Sequence, residues 1–274
     1  MSQFSPLDAE IRDLLRFAAQ RSMLPRYRAL REDEVEMKGE DDPVTVVDRE
    51  VEEFLTEALT RLAPDVAVVG EEAVAADAKV MERLAGPCWI IDPLDGTANF
   101  ASGEGHFGIM VALADAGEAV AGWIYDPVRD RLCHSKKGEG AFIDGERVFA
   151  KVSGETPPNL AAMKGFMPDA QRALFEAEIE PHYAIVKAPR AACEQYPLVA
   201  FGGHDLAIYE RTLPWDHAAG CLFLNEAGGA CLRRDGSPYR VDDGRKGMIG
   251  SANRVLFDDL AERLIKAGYM PADA

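Results

Sequence analysis

The chain has 274 residues, 47% of them hydrophobic, and carries a formal net charge of −17, with a pI near 4.7. That length can hold one large core or two smaller ones. So acidic a balance argues against nonspecific nucleic-acid binding, which needs basic patches, and no apolar run approaches the roughly 18 residues of a membrane span. Ile11, Leu14, Leu15 and Ala18 recur at helical spacing and predict a helix over about 7–26. The acidic stretch 31–42 reads as a loop able to move. Asp42 to Asp48 then leads into a helix with Val51, Leu55, Ala58 and Leu62 on its apolar face. Val66 to Val69 reads as a short buried strand that ends in Gly70-Glu71-Glu72, and Trp89-Ile90-Ile91 as the end of another. Strand patterns over 106–114, 119–125 and 131–135, with a turn at Gly117, predict an antiparallel meander. Pro157 and Pro158 mark a boundary between a half at 1–152 and a half at 153–274. Beyond it, strand and helix signals alternate over 184–186, 191–200, 206–209, 216–226, 248–250 and 254–267. This order predicts a layered α+β fold.

Five cysteines (Cys88, Cys133, Cys193, Cys221, Cys231) are odd in number and show no close pairing. They fit reduced thiols of a cytoplasmic protein, and argue against a disulfide frame or a zinc site. The opening Met1 to Pro6 lacks the charged-then-apolar pattern of a leader.

The chemistry concentrates in Trp89-Ile90-Ile91-Asp92-Pro93-Leu94-Asp95-Gly96-Thr97-Ala98-Asn99-Phe100. A buried strand runs straight into two carboxylates and a tight turn, which can aim Asp92 and Asp95 at one point and leave the N–H groups of Gly96 and Thr97 facing an anion. Clustered carboxylates repel unless a hard cation sits between them, and Mg²⁺ is the usual one at phosphate sites. Asp-Pro and Asp-Gly also form plain turns. Glu71 just past a strand, Asp216 near the start of a helix after Pro214, and Asp48 before another helix are further acids for the same site, although each alone reads as a cap or solvated surface sooner than as a ligand.

These residues resemble the inositol monophosphatase family of magnesium-dependent, lithium-sensitive phosphatases. Asp92 to Phe100 fits its DPxDGTxNF signature without a gap, and Gly70-Glu71-Glu72 its GEE element. Gly122 to Pro127 and Gly138 to Phe142 resemble the strand pair and glycine-rich segment that follow. Trp215-Asp216 through Gly220, with Glu226-Ala227-Gly228-Gly229, resembles the second signature. The resemblance implies an αβαβα sandwich of the sugar-phosphatase type, with the metal site between the halves and most ligands in the first. It implies two or three Mg²⁺ ions: one on Glu71, Asp92 and the Leu94 carbonyl, a second on Asp92, Asp95 and Asp216, and a weaker third on a water oriented by Glu71. Thr97, backed by Asp48, would deprotonate the attacking water, and the N–H groups of Gly96 and Thr97 would hold the phosphate. A homodimer is the family's habit.

Substrate recognition departs from the family pattern. Glu210 is the nearest match to an acidic residue that contacts sugar hydroxyls, but the step from Glu210 to Trp215 is one residue shorter. Pro189-Arg190-Ala191-Ala192 replaces the usual Gly-Ser-Ala-Ala. Arg190 either clamps a second anionic group or is ordinary surface. The implied substrate is a small phosphorylated metabolite, inositol monophosphate-like, with histidinol phosphate, a sugar phosphate and a nucleotide 3′-phosphate as alternatives. A noncatalytic regulatory relative or a structural metal module would have no use for the complete set Glu71, Asp92, Asp95, Thr97 and Asp216. His106, His134, His182 and His204 lack metal spacing, while His217 either orients Asp216 or sits on the helix surface.

Overall fold

The computed structural model describes residues 5–39 and 42–269. Helix α1 (Pro6–Ala18) starts on Ser5, whose side chain accepts from the N–H of Asp8, and buries Ile11, Leu15 and Ala18. It passes into a π-turn over Ala19–Met23, so regular helix ends before residue 26. The stretch 31–42 is not simply a loop. Strand β1 (Val35–Gly39) pairs antiparallel with β2 (Asp42–Thr45), setting Val35 opposite Thr45 and Glu36 opposite Val44. Residues 40 and 41 of that stretch, and the first four residues of the opening segment, lie outside the described residues. A polar ribbon with one buried valine leaves no apolar alternation to read.

Helix α2 (Val46–Leu62) begins ahead of Asp48, not after it. Thr45 and Asp48 form a capping box, each side chain accepting from the other's end of the first turn. The chain continues through β3 (Ala67–Gly70), α3 (Glu71–Ala76), β4 (Cys88–Asp95) and α4 (Thr97–Ser102). The meander follows as β5 (Gly108–Asp115), β6 (Glu118–Asp126), β7 (Arg131–Lys136), β8 (Gly140–Ile143) and β9 (Glu146–Val148). These strands make a seven-stranded sheet in chain order, with only β3 and β4 parallel. The second half holds β10 (Asn159–Ala162), α5 (Asp169–Glu178), β11 (Ala184–Val186), α6 (Ala192–Ala200), β12 (Leu206–Tyr209), α7 (Pro214–Glu226), β13 (Ala230–Arg233), β14 (Met248–Ser251) and α8 (Arg254–Lys266). Its five strands lie in the order β11-β10-β12-β14-β13, the first three parallel.

Alternation along the strands builds five layers. In β4, Trp89 and Ile91 join Leu15, Val51 and Leu55 under α1 and α2, while Cys88 and Ile90 face the other way toward α6 and α7. In the second sheet, Ala207 and Met248 face α6 and α7, and Leu206, Ile208 and Ile249 pack with Phe175 of α5 and Phe257 of α8. The order is therefore helices, sheet, helices, sheet, helices. Each fully buried aromatic or aliphatic side chain contributes about 1.5–3 kcal/mol. All five cysteines are buried and free, but α7 and β13 bring the sulfurs of Cys221 and Cys231 to 2.9 Å, a proximity their spacing does not reveal. Among the described residues no helix is long and apolar enough to cross a membrane.

Candidate active site

The carboxyl ends of strands from both sheets open on one cavity of about 190 Å³, the size of a small metabolite's head rather than of a polymer groove. Glu71 enters it as the first residue of α3. That helix is capped from below by Glu52 of α2, whose carboxylate accepts from the N–H groups of Glu72 and Ala73 at 2.8 and 2.7 Å. Gly70 is needed for this, since a Cβ there would lie 2.3 Å from the Glu52 carboxyl carbon. Asp92 and Asp95 flank an irregularity in the β4–β5 register that frees the end of the strand from strict pairing. Asp216 sits in the first turn of α7. One carboxylate oxygen each from Glu71, Asp92 and Asp216 lie within 4.8 Å of one another.

Burial is the first reason that the Asp92 carboxyl is held well above its usual range, and the charges of Glu71, Asp95, Asp216 and Asp48 push the same way. Such a cluster of oxygen acceptors fits a hard divalent ion. Asp95 lines the same cavity, and one of its oxygens accepts from the N–H of Cys193 at the start of α6, at 2.7 Å. Leu94 donates its N–H to Asp92, at 3.1 Å, and its carbonyl accepts from the Thr97 hydroxyl at 2.8 Å.

The Thr97 hydroxyl also lies 3.2 Å from one oxygen of Asp48, whose other oxygen accepts from both the N–H and the hydroxyl of Thr45. Burial raises the Asp48 carboxyl to about 6, against the lowering effect of Thr45. Gly96, read as a turn, caps the short helix α4 with φ at 83°. Any Cβ there would come within 2.6 Å of the His106 carbonyl. Asn99 of the same motif donates to the carbonyls of His106 and Pro189, at 2.7 and 3.0 Å. It thereby ties the carboxylate side of the cavity to the segment that carries Arg190.

Arg190 lines the cavity, is exposed, and has a left-handed backbone with φ at 58°. For a non-glycine residue that conformation costs about 1 kcal/mol or more. Glu210 lines the cavity too, but it is 7% exposed. One of its oxygens accepts from Arg234 and, at 2.7 Å, from the Tyr269 hydroxyl. Arg234→Met should strand that carboxylate in the interior and lower unfolding free energy in urea by about 3–5 kcal/mol. A loss below about 1 kcal/mol would mean that the pair is solvent-screened.

His217 takes neither of its expected roles. Its ring is buried, with Nδ1 2.8 Å from the Tyr196 hydroxyl and Nε2 2.8 Å from the Arg211 carbonyl. Burial lowers it to about 4, so the ring is neutral and pins the backbone of Arg211 in place of Asp216. Glu52, Asn99 and Arg211 escape a reading of the sequence. A carboxylate beside Val51 on the buried face of α2 was the one visible signal, for Glu52.

The sequence model of the inositol monophosphatase family matches residues 8–268. An inositol-1-monophosphatase of Caulobacter vibrioides is 33% identical over 254 residues, which span 90% of this chain and 96% of that protein. One from Bacillus subtilis is 28% identical, over 94% of this chain and 98% of that protein. Among solved structures, the extragenic suppressor protein suhB of Bartonella henselae superposes with a TM-score of 0.80 at 27% identity, covering 96% of this chain and 99% of that one. The chain belongs to the inositol monophosphatase family.

Proposed function

We propose that this protein is a Mg²⁺-dependent phosphomonoester hydrolase acting on a small phosphorylated metabolite. The observation that carries this is the convergence of Glu71, Asp92 and Asp216 in one open cavity that Thr97, backed by the buried Asp48, also lines. Two or three Mg²⁺ ions would be held by Glu71, Asp92 and the Leu94 carbonyl, and by Asp92, Asp95 and Asp216. When bound, they supply charge neutralisation at the phosphoryl oxygens and a more acidic water.

The chain's own groups do the rest. The attacking water gives a proton to the Thr97 hydroxyl oxygen as the Thr97 proton passes to Asp48; as the new P–O bond forms the ester P–O bond breaks, and the leaving alkoxide takes its proton from a further water oriented by Glu71. The N–H groups of Gly96 and Thr97 face the phosphate. The names of the relatives support inositol monophosphate as one substrate to try, beside histidinol phosphate, sugar phosphates and nucleotide 3′-phosphates. A cytoplasmic homodimer, with halves divided near residue 152, completes this reading.

The test is phosphate release from a panel of such esters with and without Mg²⁺. Release from none of them sinks the proposal. The Asp48 carboxyl, raised to about 6 by burial, must be ionised to take the proton, so kcat/KM should fall as pH drops below it. A bound cation can only lower that midpoint. An acid limb near pH 6 or below, abolished in Asp48→Asn, is expected. A limb well above that pH would assign the base elsewhere.

A further inference from the structure

The wall of the cavity away from the carboxylates is positive. Arg190 and Arg211 follow β11 and β12, both line the cavity, and both are exposed. Neither guanidinium has a carboxylate partner among the described residues. Elsewhere in this acidic chain Arg129, Arg131, Arg233 and Arg240 each hold one.

The Arg211 guanidinium and the backbone leading into Arg190 are also held in place. The Arg211 guanidinium lies over the ring of Phe166, 5.4 Å from its centroid, and His217 fixes the Arg211 carbonyl at 2.8 Å. Stacking sets the plane of the guanidinium and leaves its N–H edge free to meet an anion. Arg190 follows Pro189, whose carbonyl is held by Asn99. The acid on this wall, Glu210, is withdrawn, because Arg234 and Tyr269 occupy one oxygen and Arg234 offsets its charge.

We propose that Arg190 and Arg211 form a second-anion subsite. The preferred substrate is then a phosphomonoester bearing another anionic group, phosphate or carboxylate, rather than an uncharged polyol monophosphate. This rests on the phosphatase reading above. A guanidinium suits either anion, since its fork donates two parallel hydrogen bonds to a pair of oxygens.

The experiment compares fructose 1,6-bisphosphate and 3-phosphoglycerate with myo-inositol 1-phosphate and glycerol 2-phosphate, in Mg²⁺. The wild type should favour the first pair in kcat/KM, and the better of the two identifies the second anion as phosphate or carboxylate. Arg190→Ala and Arg211→Ala should each raise KM for the esters bearing a second anionic group by about ten-fold or more, the loss expected of one charge-assisted hydrogen bond. They should affect the polyol esters several times less, with kcat little changed, and the Lys variants should recover part of the loss. Alanine at 190 carries the same left-handed backbone cost as arginine, so misfolding is not the trivial cause.

Calorimetric titration of fructose 1,6-bisphosphate into the Ca²⁺-loaded protein gives a second readout that does not depend on turnover. Binding that needs both arginines, without hydrolysis of any ester, would leave the subsite standing and remove the phosphatase. Hydrolysis with no preference for the second anion, and equal effects of both Ala variants on all esters, would overturn the subsite and leave the phosphatase.

Discussion

Asp95→Asn should lower turnover by about 10²–10³-fold, the loss typical of removing one electrostatic stabiliser of a transition state. It should leave the metal-free protein folded. The asparagine side chain has the same size, and its amide oxygen can still accept from the N–H of Cys193 that Asp95 now holds at 2.7 Å. Burial raises the Asp95 carboxyl, and its charge in turn raises that of Asp92. Removing the charge therefore relieves repulsion, and the melting temperature without metal should hold or rise. With Mg²⁺ the wild type should gain stability by mass action, about 2.7 kcal/mol at a hundred times Kd, and the variant less. A fully active variant, or one unfolded without metal, would make Asp95 a structural turn residue.

Chelation should abolish activity, and Mg²⁺ or Mn²⁺ should restore it, because the converging ligands are all oxygens. Stability carries the same signature. A carboxyl raised in the folded state, as Asp92 is by burial and by Glu71, Asp95, Asp216 and Asp48, contributes most below the ordinary carboxylate range. That contribution is lost as pH climbs through the raised value. Metal-free protein should accordingly melt lower at about pH 8 than at about pH 5, and saturating Mg²⁺ should narrow the gap. Full activity in excess chelator, or a metal-free melting temperature that rises over this interval, would refute the site. In the same assay Li⁺ should inhibit without competing with substrate. Insensitivity would point to an altered surrounding of Asp95 and Asp216.

Much of the architecture was legible in the order of elements. The helix bearing Val51 and Leu55, the buried strand into Asp92 and the meander from 106 to 135 all announce themselves through periodicity, because each buries a regular face. The hairpin β1–β2, the strands β10 and β13, and helix α5 did not. Strands such as Asn159–Ala162 and Ala230–Arg233 hold no β-branched or aromatic residue, so nothing local marks them, and they are strands only because neighbours distant in the chain pair with them. The starts of helices were also displaced. Thr45 and Asp48 form a reciprocal cap, which draws Val46 and Val47 into a helix that their β-branched side chains alone would not favour.

The candidate site divides along the same line. The spacing of Asp92, Asp95, Gly96 and Thr97 is local, so a strand end and a turn specify their nearness, and the sequence by itself determined that two carboxylates meet at one turn and that the chain carries the family's signature. Glu210, Arg211 and His217 are not so readable, since what each does depends on partners remote in the chain. Only the tertiary structure placed Arg234 and Tyr269 against Glu210, turned His217 to the Arg211 carbonyl and set Arg211 over Phe166. The physical reason is that a charge's role depends on what neutralises it. Burial and pairing are properties of the packed interior, where a partner many residues away decides whether a carboxylate meets the substrate or a guanidinium.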